Sequence, residues 1–134
     1  MGIETICLDT DILIDELRGD PETVRLVLEL ESEGEILATT TVNAFELIYG
    51  ASKTRERARN RDAVEKLLDR LVVYDLDLKA AIKSGEVVAQ LEAEGRPIDF
   101  RDAFIGAIAS VNGSVLLTKN VGHFGRIPGL KLRD

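Results

Sequence analysis

Short apolar runs alternate along the chain with longer segments in which apolar side chains recur every three or four residues. The runs lie at 4–9, 35–40, 71–76 and 114–118, and each predicts a β-strand. The segments between them have helical spacing. Nearly all-apolar strands that alternate with helices indicate an α/β fold whose parallel sheet is covered on both faces. The segment LKL, at 130–132, predicts a short edge strand after a Gly-rich connection.

Capping residues and glycines mark where the predicted helices begin and end. Asp20 followed by Pro21 predicts a helix start, and Gly34 predicts the end of that helix. Gly95 and Gly113 end two later helices in the same way. The other predicted caps are Thr10 or Asp11, Thr40 or Thr41, Asp77, and Asp99.

The helix that follows Thr41 carries several apolar side chains on one face, with Glu46 on its edge. These apolar residues are Val42, Phe45, Ile48 and Tyr49. The next segment, 53–61, contains five basic residues and is either a solvated helix face or a contact for RNA or a partner protein. If Ile48, Tyr49 and Ala51 are exposed beside it, they form a mixed surface suited to an amphipathic partner. Packing of the same residues into the core is the alternative.

The composition predicts one domain, residues 1–134, that can bury a sizeable core. The N-terminus lacks a basic region followed by a long apolar run, so we expect no signal peptide. A single cysteine cannot form an internal disulfide, which fits a reducing cytoplasm. The net charge of −7 argues against non-specific nucleic-acid binding through the whole surface. It does not exclude a nuclease whose carboxylates are neutralised by a metal. The single cysteine, Cys7, lies in the first apolar run and is predicted to be a small buried strand residue.

Three acidic residues stand inside or at the end of apolar runs, where an unpaired carboxylate is costly. Asp9 ends the first strand, and Glu46 and Asp102 lie in early turns of their helices. Asn120 follows the fourth strand, which ends at Thr118. Ligands of open α/β sheets bind outside the carboxyl ends of the strands, so we expect these residues to face one crevice. Three converging carboxylates suit a hard cation such as Mg²⁺ or Mn²⁺ and predict an enzyme acting on phosphate esters.

Four segments resemble the motif regions of PIN domains, in that family's order and with suitable separations. They are LDTDILI, TVNAFELIYGA, DAFIGAIA and LLTKNVGHFGRIPGL. The resemblance covers essentially the whole chain and is closest to the VapC-type ribonuclease toxins of VapBC toxin–antitoxin systems. It implies a three-layer α/β/α sandwich with a mainly parallel sheet, and a cytoplasmic endoribonuclease that uses carboxylate-bound Mg²⁺ or Mn²⁺. A homodimer and a cognate antitoxin protein are also implied.

The resemblance assigns the first three acidic positions of the family to Asp9, Glu46 and Asp102 as metal ligands. The fourth position departs from the family pattern, since neither Asn120 nor His123 is acidic. Asn120 is either a catalytic residue, binding a ligand or the phosphate, or a turn residue. From the chemistry of such a site, we expect Thr10 and Thr118 to hydrogen-bond a ligand carboxylate or a water. We expect Arg101 and Lys119 to contact substrate phosphates. Asp11, Asp15 and Asp99 are interpreted as caps or surface acids. His123 is interpreted as a packing or hydrogen-bonding residue, with a general base as the alternative.

Three other functions are compatible with the sequence. A housekeeping PIN nuclease that matures RNA would lack an antitoxin gene beside its own. A PIN fold without catalysis would bind partners only, and the non-acidic fourth position motivates this alternative. A phosphatase with an aspartyl nucleophile could use Asp9, Asp11 and Lys119, but that chemistry leaves Glu46 without a role.

Overall fold

The computed structural model describes residues 4–133 and contains a five-stranded parallel sheet with helices on both faces. The strand order is β3-β2-β1-β4-β5, so the chain starts at the centre of the sheet and builds outward in both directions. This arrangement confirms the predicted α/β sandwich. The strands are β1 (Thr5–Leu8), β2 (Ile36–Thr40), β3 (Val72–Tyr74), β4 (Val115–Leu117) and β5 (Lys131–Arg133).

Seven helices connect the strands within residues 4–133, and six of them match the predicted segments. They are α1 (Thr10–Leu17), α2 (Pro21–Ser32), α3 (Thr41–Ser52), α4 (Arg57–Asp69), α5 (Leu78–Ala93), α6 (Phe100–Val111) and α7 (Val121–Phe124). The four-residue α7 lies in the segment predicted as a Gly-rich connection, so that prediction was wrong for 121–124. In the described part of the chain no helix is long and apolar enough to cross a membrane.

Side-chain caps begin most helices where the sequence predicted them. Asp20, Thr40, Asp77 and Asp99 each accept a hydrogen bond from a backbone N–H of the helix that follows. The cap of α1 differs from the prediction. Asp9 is the N-cap, and its carboxylate accepts the N–H of Thr10, so neither Thr10 nor Asp11 caps this helix. The strand-end carboxylate thus also fixes the start of α1.

The sheet separates two apolar cores. Ile6 and Leu8 of β1 point to the first core, with side chains of α1, α2, α3 and α4. Cys7 points to the other face and packs with α5, α6 and α7. The predicted burial of Cys7 is therefore confirmed. Burial, and to a lesser extent the charge of Asp9, raises the pKa of the Cys7 thiol to about 12, so the thiol stays protonated at neutral pH.

Helix α3 turns a different face to the core than its apolar pattern predicted. Its buried residues are Asn43, Leu47 and Ala51. The aromatic rings of Phe45 and Tyr49 stack on each other at the surface, with ring centroids 5.9 Å apart. The apolar face is thus divided. Val42 and Ile48 are half-buried and pack at the edges of the two cores.

Candidate active site

An open cavity of about 350 Å³ lies at the carboxyl end of the sheet and collects residues from four separate segments. Parallel strands end at the same edge, so the residues that follow β1 and β4 meet there with the first turns of α3 and α6. Of the predicted site residues, Arg101 and Thr118 do not line the cavity but contact residues that do. The lining residues are Asp9, Thr10, Asp11, Ile14, Glu46, Asp102, Lys119 and Asn120.

Asp9 is the most buried acid of the cavity, at 7% exposure. Its Oδ1 accepts hydrogen bonds from the Thr10 N–H at 2.8 Å and from Asn43 Nδ2 at 3.1 Å, and its Oδ2 accepts one from Thr118 Oγ1 at 2.7 Å. Burial raises the pKa of Asp9 to about 6, although these three hydrogen bonds act in the opposite direction. The nearby Asp11 adds to the rise. The protein therefore holds a costly charge at this position.

Glu46 lies one turn further along α3 than the capped start of that helix. The Thr10 hydroxyl donates to its Oε1 at 2.6 Å, and the Arg101 guanidinium lies 3.5 Å from its Oε2. Arg101 also lies 3.6 Å from the carboxylate of Asp99, the cap of α6. A basic residue of the α6 start therefore already balances part of the charge on Glu46.

Asp102 lies in the first turn of α6, next to the loop that carries α7. Its Oδ2 is 3.6 Å from Nδ1 of His123, and the same ring nitrogen is 3.0 Å from Nδ2 of Asn120. Burial, followed by the charge of Asp99, raises the pKa of the Asp102 carboxyl. His123 thus has a hydrogen-bonding partner in Asn120, as predicted, while its contact with Asp102 has the length of an ion pair and not of a hydrogen bond.

Lys119 and Asp11 form the remaining wall of the cavity. The backbone N–H of Lys119 donates to Asp11 Oδ2 at 2.9 Å, while its ammonium pairs with Asp15. Asp15 and Asp99 thus act as an ion-pair partner and a helix cap, close to their predicted roles. Asp11 was predicted to be a cap or surface acid, but it lines the cavity, and its buried Oδ1 has no hydrogen-bond partner among residues 4–133.

Sequence reasoning missed Asn43, which is fully buried beneath the cavity and contacts both Asp9 and Thr10. The sequence signals this residue only weakly, as an amide inside a mainly apolar helix, three residues before Glu46. Buried amides are rare without hydrogen-bond partners, so such a position points to a polar network.

The donor set of the cavity fits a hard cation. All four acids are oxygen donors, Asp9 carries a destabilised charge, and Asp11 has an unsatisfied buried oxygen. Among residues 4–133, however, no three His, Cys, Asp or Glu side chains are grouped closely enough to hold a metal together. A Mg²⁺ site does not require such a group, because Mg²⁺ usually takes one or two carboxylates and keeps several waters.

Comparison with known proteins gives consistent results at the level of sequence and structure. The family described as the PIN domain matches residues 6–130. A tRNA(fMet)-specific endonuclease VapC from Salmonella typhimurium is 36% identical over 127 residues, covering 95% of each chain. Ribonuclease VapC19 from Mycobacterium tuberculosis is 34% identical over 124 residues, covering 92% of this chain and 95% of the relative.

Two solved structures share the whole fold. DNA-bound VapBC from Salmonella typhimurium superimposes with a TM-score of 0.88 at 34% identity and covers 98% of each chain. VapBC2 from Rickettsia felis, bound to a DNA fragment from their promoter, gives a TM-score of 0.87 at 29% identity and covers 96% of this chain and 97% of that one.

Proposed function

The chain belongs to the PIN domain family, as a VapC-type ribonuclease toxin of a VapBC toxin–antitoxin system, and from this premise we propose that it is a metal-dependent endoribonuclease. The observation that carries the proposal is the convergence of Asp9, Glu46 and Asp102 on one cavity. These residues come from three distant segments, and the capping of α1 by Asp9 does not explain why two further acids lie at the same end of the sheet. Similarity to a tRNA(fMet)-specific endonuclease makes tRNA the first substrate to test.

Asp9, Glu46 and Asp102 would hold Mg²⁺ or Mn²⁺, directly or through water. When bound, the metal would neutralise charge on the phosphate and activate a water for hydrolysis. Asp9 accepts three hydrogen bonds, so about one of its four lone-pair sites stays free for a cation. Glu46 is held by the Thr10 hydroxyl on one oxygen, which leaves the other to Arg101 or a cation.

The remaining site residues would orient the ligands and the RNA. Thr118 holds Asp9 by a hydrogen bond, and its own hydroxyl accepts the N–H of Asn120 at 3.0 Å. Asn120 lines the cavity and could donate an amide hydrogen to a phosphate oxygen. Arg101 and Lys119 carry the cationic groups nearest the acids, and binding of an RNA phosphate would draw them from Glu46 and Asp15.

Cleavage of defined RNAs tests the proposal. Purified protein is incubated with total tRNA and with an unstructured RNA, in Mg²⁺, in Mn²⁺ and in EDTA. We expect cleavage with either metal and none in EDTA. Asp102→Asn should abolish cleavage, whereas Asp69→Asn, an exposed acid at the end of α4, should not change it. RNA cut equally fast in EDTA would contradict a metal-dependent mechanism.

A binding module without catalysis is the second candidate. It is favoured by the non-acidic Asn120 and His123 at the fourth position of the family pattern. The same assay separates the two functions, because a binding module would leave every RNA intact while still retaining RNA in a gel-shift measurement.

We also infer an antitoxin site beside the active site. A second cavity of about 360 Å³ lies between α1, α3 and α4, with Leu17, Leu47 and Val64 among its walls and Glu46 shared with the first cavity. An apolar helix of an antitoxin suits these walls, and an Arg at its end could pair with Glu46. Ala51 lines this cavity, whereas Tyr49 lies at the surface. Solved VapBC structures of the relatives contain the toxin with its partner, which supports this inference.

A homodimer is the remaining partner that we propose. Large apolar side chains are exposed on α3 and α5, among them Phe45 at 57% and Leu78 at 75%. The N–H of Leu76 donates to the Thr41 hydroxyl, which brings the start of α5 beside the start of α3. An exposed apolar patch of this kind is typical of an interface. Sedimentation should show a dimer at micromolar concentration, and a stable monomer would contradict this part of the proposal.

A further inference from the structure

Asn43 has a hydrogen-bonding pattern that goes beyond a helix cap. The side chain is fully buried, and each of its polar atoms has a partner. Its Nδ2 donates to Asp9 Oδ1 at 3.1 Å and to Thr10 Oγ1 at 2.9 Å, while its Oδ1 accepts from Thr40 Oγ1 at 2.7 Å. Burying an amide is unfavourable unless such bonds form, so the whole set must be made together.

The direction of these hydrogen bonds determines what Thr10 can do. A hydroxyl has one proton, and the Thr10 hydroxyl donates it to Glu46 Oε1 at 2.6 Å. It must therefore accept from Asn43, whose amide nitrogen lies on that side. The opposite amide orientation would place Oδ1 against the Asp9 carboxylate and would draw the Thr10 proton away from Glu46.

We propose that Asn43 is a positioning residue for metal binding, holding Asp9 directly and Glu46 through the Thr10 hydroxyl. The inference rests on the proposed metal-dependent function. Asp9 follows β1 and Glu46 lies on α3, so without a cross-link their carboxylates could move independently and repel each other. The Asn43 amide supplies two donors at the point where these segments meet. It thereby fixes both carboxylates before the cation arrives.

The backbone N–H of Asn43, which Thr40 caps, and the side chain of Asn43 can be tested separately. The cap of α3 is the bond from the backbone N–H of Asn43 to Thr40 Oγ1 at 3.1 Å, which any residue at 43 can make. Asn43→Ala therefore keeps the cap and removes only the side-chain bonds. Loss of hydrogen-bond partners behind metal ligands typically lowers metal affinity 10–100-fold.

Calorimetric titration with Mn²⁺ in the absence of RNA is the test. We expect Asn43→Ala to bind Mn²⁺ about tenfold more weakly than the wild type, and Thr10→Val to show a loss in the same direction. Thr10→Ser keeps the hydroxyl and should retain wild-type affinity. Asn43 is proposed to act on Glu46 through Thr10. The variant that combines Asn43→Ala with Thr10→Val should therefore lose less Mn²⁺ affinity than the product of the two single fold-losses. The matched control is Asn112→Ala, an amide that bonds the Ile108 carbonyl at the opposite edge of the sheet and should leave affinity unchanged.

The outcomes separate failure of this inference from failure of the proposed function. Wild-type protein that binds no Mn²⁺ would overturn both. Wild-type affinity in folded Asn43→Ala would overturn the positioning role alone. If Asn43→Ala does not fold, Thr10→Val decides, since unchanged affinity there would contradict a link to Glu46. Fully multiplicative losses in the double variant would also refute the route through Thr10.

Discussion

Replacing Asp9 by Asn should make the metal-free protein more stable while removing its response to metal. In the wild type, burial raises the pKa of Asp9 from 3.8 to about 6. At 1.36 kcal/mol per pKa unit, the charged form costs about 3 kcal/mol at neutral pH. Asparagine keeps the shape of the side chain without that charge.

Asp9→Asn also weakens some of the hydrogen bonds that the Asp9 carboxylate accepts in the wild type. Asparagine has one acceptor oxygen, which can keep the bonds from the Thr10 N–H and Asn43 Nδ2. Its amide nitrogen would face Thr118, whose hydroxyl must turn to accept. This loss is about 1–2 kcal/mol, so the net gain is about 1–2 kcal/mol, or roughly 3–8 °C in Tm.

Thermal unfolding in EDTA and in Mn²⁺ measures both effects. At about 100 times Kd, the metal should stabilise the wild type by about 2.7 kcal/mol and the variant by much less, so the order of the two Tm values should reverse. Asp69→Asn serves as the surface control. A variant less stable than the wild type in EDTA would refute the assignment of a costly buried charge. An equal rise of Tm with Mn²⁺ in both proteins would refute Asp9 as a ligand.

Four further predictions concern pH, the two interfaces and the packing of α6. The stability of the wild type relative to Asp9→Asn, measured by denaturant titration in EDTA, should fall as the pH rises from about 4 to 6. The reason is that the folded state keeps the Asp9 proton to a higher pH than the unfolded state does. A relative stability that rises over this pH range would contradict the raised pKa. Gly50→Lys should fold but lose antitoxin in a pull-down, because Gly50 lines the second cavity and a Cβ there would have no heavy atom within 4 Å; full retention of antitoxin would refute that site. Gly106→Ala should lower stability in thermal unfolding by up to about 2 kcal/mol, because its Cβ would lie 2.3 Å from Ile127 Cδ1 and this overpacking outweighs the roughly 1 kcal/mol by which a helix favours alanine over glycine. Adding Ile127→Val, which removes that carbon, should recover the loss, and a single variant as stable as the wild type would refute the clash. Leu78→Glu should give a monomer in sedimentation, whereas an unchanged dimer would exclude α5 from the interface.

Most of the fold could be predicted because its signals are local. Asp20 with Pro21 and the spacing of apolar residues determine α2 without reference to the rest of the chain. Helix α7 could not be predicted in this way. It has only four residues, one of them Gly122, with Gly125 directly after them, and its Phe124 is fully buried through contacts with distant segments. Tertiary packing, rather than helix propensity, forms this turn.

The orientation of α3 required knowledge of its neighbours. Hydrophobicity alone favours burial of Phe45 and Tyr49, yet the helix buries the polar Asn43 instead. Asn43 can be buried because Asp9 and Thr10, more than thirty residues away, provide its partners. Those partners become visible only once β1 and β2 are paired in the sheet.

The candidate site was predictable to the extent that its acids stand out from apolar surroundings. Asp9, Glu46 and Asp102 carry that signal, and all three line the cavity. Asp11 carries it less clearly, because an acid near a helix start is ordinarily a cap. Its place in the cavity follows from the N–H of Lys119, 108 residues further along the chain.

A crystal of the wild-type protein soaked in Mn²⁺ tests the central claim most directly. The anomalous signal of Mn²⁺ locates the ion without assumptions about its ligands. We predict one peak in the cavity between Asp9, Glu46 and Asp102, with Asp9 coordinating directly and water completing the shell. A cavity that stays without a peak at saturating Mn²⁺, or an ion bound by residues outside this set, would contradict the account.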